Sequence, residues 1–120
     1  MTTIEPAHIV GTGGALGALL RYAVSEWIDT ERFPAGTLIV NVVGSFVLAI
    51  LTLTSASEQL LLLLGTGACG SFTTFSSFSY ETIRLWESDD RTHAVLNAVG
   101  NLTGAGVAIG FAWILVHFVW

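Results

Sequence analysis

Uncharged polar side chains recur at helical spacing in otherwise apolar stretches of this sequence. Asn41 and Ser45 are four residues apart, and His93, Asn97 and Asn101 follow one another at the same interval. Residues four apart lie on one face of an α-helix, so each set forms a polar stripe. Amide and hydroxyl groups on such stripes can replace part of an ion's hydration shell, or they can hydrogen-bond one helix to another.

A further polar set lies in residues 65–79, which read GTGACGSFTTFSSFS. Glycine costs about 1 kcal/mol in a helix interior, and Ser and Thr hydroxyls compete for the backbone hydrogen bonds. We therefore predict a break within residues 65–74, with an intact glycine-rich helix as the alternative. Backbone carbonyls released by such a break are ready ligands for a cation.

Two phenylalanines follow this glycine-rich segment, and their chemistry favours an anion. Phe75 and Phe78 are three residues apart and share a helix face, with the Thr74 and Ser77 hydroxyls beside them. Ring edges carry positive quadrupole density, while hydroxyl and amide groups donate hydrogen bonds. Without a fixed positive charge, such a lining binds an anion weakly enough to release it, which suits conduction.

The stretches that carry these residues are long and apolar. Hydrophobic residues make up 52% of the 120 residues and charged residues only 11%, against roughly 25% charged in soluble domains. Residues 34–57, 59–80 and 92–120 contain no Asp, Glu, Lys or Arg, and an apolar stretch over 6–25 is interrupted only by Arg21. About 20 helical residues cross a bilayer. We predict one all-α membrane domain over 1–120, with four transmembrane helices at roughly 6–25, 36–55, 59–84 and 93–119.

Charge restricts the partners and the orientation. Nine acidic residues against four arginines give a net charge of −5, which disfavours nucleic acid as a partner. An acidic, lysine-free composition also fits a high-salt cytoplasm. All four arginines lie at or beyond the helix ends opposite the two termini, so the positive-inside rule predicts both termini outside the cell.

Three sequence blocks carry a resemblance to a known family: GGALGALLRY at 13–22, GTLIVNVVGSF at 36–46 and GACGSFTTFSSFS at 67–79. In order and spacing they resemble the Fluc (CrcB) family of fluoride channels, along nearly the whole chain. The resemblance implies a multi-pass protein of the cell membrane that passively exports fluoride and is not an enzyme. It also implies an antiparallel dimer, formed either by two copies or with a paralogous subunit.

The resemblance further implies roles for particular residues. A structural sodium ion, which is not transported, would be held at the dimer centre by the backbone carbonyls of Gly70 and Thr73. The fluoride pathway implied by the resemblance and by the polar stripes comprises Asn41, Thr74, Phe75, Ser77, Phe78, Asn97 and Asn101. The family more often carries tyrosine and serine on its fourth-helix track, where this chain has His93, Asn97 and Asn101. This chain also has Ser71 where the family has glycine.

Two charged residues and two other function classes complete the expectations. Arg21 ends the first helix and Glu81 lies one turn beyond Phe78, so both are expected at the interface or in a pore vestibule, in structural roles or steering anions. The main alternative is a small four-helix multidrug or cation exporter, although such exporters need a carboxylate in the first helix, and this helix carries none. A non-transporting membrane scaffold, whose polar residues only pack helices, is the third interpretation.

Overall fold

The computed structural model describes residues 3–28, 30 and 32–120, and within these residues it contains helices and no strand. Helix α1 spans Pro6–Trp27 and α2 spans Ala35–Leu53. Helix α3 (58–72) joins a first turn at Glu58–Leu60, a π-helical stretch at Leu61–Cys69 and a last turn at Gly70–Phe72. Helix α4 spans Phe75–Glu87, and α5 spans Arg91–Val119. The all-helical prediction is confirmed.

The surface of this bundle is apolar, as expected for a membrane protein. Within the described part of the chain, three helical stretches are long and apolar enough to cross a bilayer: Ala35–Leu53, Glu58–Glu87 (which contains α3 and α4) and Arg91–Val119. Large apolar side chains such as Leu102 and Phe118 are more than three-quarters exposed, which a bilayer tolerates and water does not. The multi-pass membrane prediction is confirmed. Helix α1, with 22 residues, lies outside those three stretches.

Short polar caps set where α3 and α5 begin. The Ser57 hydroxyl accepts the backbone N–H of Leu60 at 3.3 Å, and the Asp90 carboxylate accepts that of His93 at 3.4 Å. Both bonds satisfy donors that a helix start leaves free. The Asp90 carboxylate also lies 2.8 Å from the His93 ring nitrogen Nδ1. That side-chain hydrogen bond is the main cause that lowers the pKa of Asp90 below its ordinary value.

Helix α1 packs directly onto the π-helical part of α3, backbone against backbone. A Cβ added at Gly13 would overlap the carbonyl oxygen of Leu63, and one added at Gly17 would overlap that of Ala68. Glycine is therefore required at both positions, because a backbone carbonyl cannot move aside as a side chain can. The hydroxyl of Ser71 lies 2.7 Å from the Gly14 carbonyl oxygen and ties the same two helices together.

The third membrane stretch is broken, as predicted, but the break lies at the end of the glycine-rich segment. Helix α3 continues through Gly67 and Gly70, and the backbone becomes extended at Thr73 (φ −79°, ψ 157°) and Thr74 (φ −149°, ψ 122°). At Gly67 the absence of a side chain allows α3 to approach Val10 and Gly13 of α1 closely. Helix α4 then starts with the Thr74 hydroxyl accepting the Ser77 N–H at 3.1 Å. The alternative of an intact helix is excluded.

Candidate functional site

The break is held open by one side chain from α2. Asn41 Oδ1 accepts the backbone N–H of Thr74 at 2.8 Å, and Asn41 Nδ2 donates to the Thr74 carbonyl oxygen at 3.0 Å. In an uninterrupted helix the Thr74 N–H would bond to the carbonyl of Gly70. The Asn41 amide takes the place of that partner, which is why the backbone can leave the helix here without an unsatisfied group.

The Asn41 amide continues into a chain of hydrogen bonds along α5. Asn41 Nδ2 also donates to Asn101 Oδ1 at 2.9 Å, and Asn101 Nδ2 donates to Asn97 Oδ1 at 3.0 Å. Asn97 Nδ2 in turn donates to the hydroxyl of Thr82 on α4 at 2.9 Å. Asn97 is fully buried and Asn101 is 6% exposed. Three helices are thus connected through buried amides.

A cavity of about 860 Å³ lies beside the break. Its wall contains Asn41, Thr74 and Asn101, together with the rings of Phe75 and Phe78. The two ring centroids are 5.7 Å apart and the planes are inclined by 51°. Phe75 is 79% exposed, so one side of the cavity is open at the surface of the single chain.

A second, smaller cavity of about 290 Å³ lies on the other side of Thr74. Arg21, Thr37, Ser77 and Glu81 contribute to its lining. The Thr37 hydroxyl donates to Glu81 Oε1 at 3.0 Å, while Glu81 Oε2 is buried and has no hydrogen-bond partner among the described residues. Because Thr74 lines both cavities, it forms part of the wall between them.

Glu81 also lines a third cavity, of about 560 Å³, near the start of α5. Arg32, Arg84, Ser88 and Asp90 contribute side chains there. The three cavities therefore follow one another from the charged end of the bundle to the helix break. Glu81 lines both the 560 Å³ and the 290 Å³ cavities, and Thr74 lines both the 290 Å³ and the 860 Å³ cavities. A small ion that entered among the arginines would meet progressively less charged walls.

The structure brings together most of the residues predicted from the sequence, with two exceptions. Asn97 lies behind the wall and lines none of these three cavities. His93 lies at the start of α5, where it is bonded to Asp90. Sequence reasoning missed Thr37 and Thr82. Thr37 lies four residues before Asn41, and Thr82 four after Phe78, so extending each stripe by one turn would have found them.

The carbonyls at the break suit a hard cation in kind. Because the Thr74 N–H bonds to Asn41, the Gly70 carbonyl loses its helical partner, and unwound carbonyls of this sort coordinate sodium. The Thr73 carbonyl oxygen lies 3.4 Å from Nη1 of Arg21, so a cation there would share it with a guanidinium group. The described residues contain no cluster of three or more His, Cys, Asp or Glu side chains that could hold a metal.

Comparison with known proteins identifies the family. The family model described as CrcB-like protein, Camphor Resistance (CrcB), matches residues 8–114. A protein of Haloarcula marismortui named fluoride-specific ion channel FluC 2 is 56% identical over 119 residues, which cover 99% of this chain and 100% of the relative.

Two further relatives carry the same kind of name. Fluoride-specific ion channel FluC 1 of Halobacterium salinarum is 55% identical over 92% of this chain and 93% of its own length. Fluoride-specific ion channel FluC 3 of Methanosarcina acetivorans is 46% identical over 86% of this chain and 96% of its own length. The match covers the break, the amides and both phenylalanines, and the chain therefore belongs to the Fluc/CrcB family, a family of ion channels and not of enzymes.

Proposed function

We propose that this chain is a subunit of a fluoride-specific ion channel that exports fluoride passively and lowers its concentration in the cytoplasm. The observation that carries the proposal is the 860 Å³ cavity at the helix break, where amide, hydroxyl and phenyl groups meet inside an apolar bundle. The names of the relatives support fluoride as the ion.

The lining suits a small, strongly hydrated anion that must be released again. Asn41, Thr74 and Asn101 place amide and hydroxyl groups in the wall of the 860 Å³ cavity, and Ser77 adds a hydroxyl to the adjoining cavity. The edges of Phe75 and Phe78 add weak positive density. None of the described residues that line the 860 Å³ cavity is Lys or Arg, so nothing they supply would trap the anion. At the charged end, Arg32 and Arg84 line the outermost cavity beside Glu81 and Asp90, so an anion would meet both signs of charge there.

The working unit is proposed to be an antiparallel dimer in which α1 is a fourth membrane-spanning helix. The exposure of Phe75 supports this, because a partner subunit packed over the open side of the cavity would enclose the pathway. The partner is either a second copy or a paralogous subunit. The relatives' names are numbered FluC 1, 2 and 3, as expected where an organism carries several such chains.

A structural sodium ion is proposed at the dimer centre, bound by the Gly70 and Thr73 carbonyls of both subunits. When bound, the ion would neutralise the dipoles of these carbonyl groups. The Arg21 guanidinium, 3.4 Å from the Thr73 carbonyl, would then keep that carbonyl oriented. Labelled sodium is expected not to cross the membrane at rates comparable with fluoride.

Fluoride loss from proteoliposomes tests the function. Vesicles loaded with potassium fluoride and treated with a potassium ionophore should release fluoride rapidly, while vesicles loaded with potassium chloride should retain chloride. Proton-driven uptake of cationic drugs would instead favour the exporter. The absence of both activities would favour the scaffold. Protein-free vesicles from the same preparation are the control.

Orientation can be tested in the same protein. An Ala56→Cys variant, made in a Cys69→Ala background to remove the buried native thiol, places one label site in the turn between α2 and α3. If the positive-inside rule decides the topology, membrane-impermeant reagent should label it from outside the cell only. Equal labelling from both sides of the membrane would favour an antiparallel dimer of identical chains.

A further inference from the structure

We propose that Asn97 and Thr82 are positioning residues for the ion pathway, which fix the orientation of the Asn101 and Asn41 amides without touching the ion. The proposal rests on the proposed function, since it assumes that fluoride passes the cavity lined by Asn41 and Asn101. It reassigns Asn97 from the lining, where the sequence placed it, to the layer behind. It also gives a role to Thr82, which the sequence reasoning did not single out.

At the α4 end of this chain of hydrogen bonds, the Thr82 hydroxyl fixes which way the Asn97 amide points. The Thr82 hydroxyl donates its only proton to the carbonyl oxygen of Phe78 at 2.7 Å. It can therefore only accept from Asn97, which must turn Nδ2 toward Thr82 and Oδ1 toward Asn101. Asn97 thus has a single orientation that satisfies its buried amide.

That orientation passes along α5 to the cavity wall. Asn101 must present Nδ2 to Asn97, where it meets both the side-chain oxygen at 3.0 Å and the backbone carbonyl at 2.9 Å. Asn101 Oδ1 then faces Asn41 Nδ2, and Asn41 Oδ1 faces the Thr74 N–H. The backbone of Thr74 demands the same orientation of Asn41, so the two ends of the chain agree.

The orientation matters because it engages both protons of Asn41 Nδ2 and both protons of Asn101 Nδ2 within the cavity wall, and so holds the Thr74 backbone at the break. A flipped Asn101 would bring its NH₂ group against that of Asn41, and one of the two would turn away. If Asn41 turned, it would lose its bonds to the Thr74 backbone, and the wall of the cavity at the break would change shape. Buried amides that lose a partner are also costly to leave unsatisfied, so the whole chain responds to the loss of one member.

Thr82→Val tests the proposal, because valine keeps the shape of threonine and removes only the hydroxyl. The rate of fluoride loss should fall about tenfold, the effect of losing one net hydrogen bond, and the preference for fluoride over chloride should weaken. Thr82→Ser keeps the hydroxyl and should retain both properties. Thr103→Val is the matched control on α5, because the Thr103 hydroxyl bonds only within its own helix and is exposed.

Two readouts separate positioning from a general loss of structure. The fraction of vesicles that release any fluoride counts assembled channels, while the rate and the fluoride-to-chloride ratio in those vesicles report on the pathway. Thr82→Val should change the second readout and leave the first close to the wild-type value. A double variant, Thr82→Val with Asn97→Ala, should be no slower than Asn97→Ala alone, because the two residues act through one bond.

Two results would overturn the positioning role while leaving fluoride conduction intact. One is a Thr82→Val channel with the rate and selectivity of Thr103→Val. The other is additive losses in the double variant, which would mean that each residue acts independently. Failure of the proposed function itself is distinguishable, because the wild-type chain would then release no fluoride.

Discussion

Two sets of helix contacts lie on either side of the broken membrane stretch, and they differ in chemistry. On one side, α1 lies against α3 through Gly13, Gly17 and Gly67, so that backbone touches backbone. On the other side, α2, α4 and α5 are connected by amides and hydroxyls around a cavity. The first contact leaves no space for an ion, and the second keeps space open.

The difference shows how a small membrane bundle divides packing from conduction. Close glycine contacts give van der Waals stabilisation that does not depend on water or ions. Hydrogen-bonded amides can line a cavity because their polar groups remain satisfied beside it. The glycine contact therefore holds α3 against α1, and so positions the break at Thr73 and Thr74.

The largest expected effect comes from adding one methyl group to the glycine contact between α1 and α3. In Gly17→Ala the new Cβ would overlap the backbone carbonyl of Ala68, and α1 must move away from α3. We expect the free energy of unfolding in detergent to fall by more than about 2 kcal/mol. Gly11→Ala is the control, because a Cβ at Gly11 meets nothing within 4 Å. Equal stability of the two variants would contradict the close contact.

A smaller effect, on fluoride flux and not on stability, is expected from changes at the 860 Å³ cavity. Phe75→Ile or Phe78→Ile keeps apolar bulk but removes the ring edge, and fluoride flux should fall about tenfold while dimers still form. Phe111→Ile provides the comparison, since Phe111 stacks on Phe46 and lines none of the three cavities in the pathway. If neither variant changes the flux, these rings serve packing only.

Ser71→Ala tests a polar bond within the glycine contact and should have a weak effect. The variant removes the hydroxyl that bonds to the Gly14 carbonyl, which is worth about 0.6 kcal/mol between membrane helices. The free energy of unfolding should fall by about that amount, with fluoride flux nearly unchanged. Ser71→Gly should be less stable than Ser71→Ala by up to about 1 kcal/mol, because glycine is costly in a helix. Unchanged stability of Ser71→Ala would mean that the hydroxyl does not stabilise the contact.

The smallest effect concerns the cap at the start of α5, outside both contacts. Because the folded state lowers the pKa of Asp90 from 3.8, its ionised carboxylate stabilises the fold above that pH. This stabilisation is lost as the pH falls through the lower folded-state value. Asp90→Asn should therefore lower the unfolding temperature slightly near neutral pH and not in strong acid. Asp89→Asn, which makes the same chemical change at a 91% exposed side chain, is the comparison variant.

Much of the fold could be predicted because it depends on local pattern. The long uncharged stretches predict helices whose apolar faces meet lipid, and the glycine-rich segment predicts a break. The position of the break could not be predicted, because Gly67 is a poor helix former that nevertheless stays helical where it packs against α1. Only the contact with α1 changes that balance.

The candidate site divides in the same way. The sequence by itself determined which chemical groups are present, since the spacing of Asn41, Phe75, Phe78 and Asn101 already places uncharged donors and rings on helix faces. The tertiary structure alone decided which amides face the cavity and which lie behind it. Asn97 and Asn101 have the same spacing and chemistry, and they differ only in their neighbours. Asn97 meets the Thr82 hydroxyl, whereas Asn101 meets Asn41, because α4 and α2 pack against α5 at different heights.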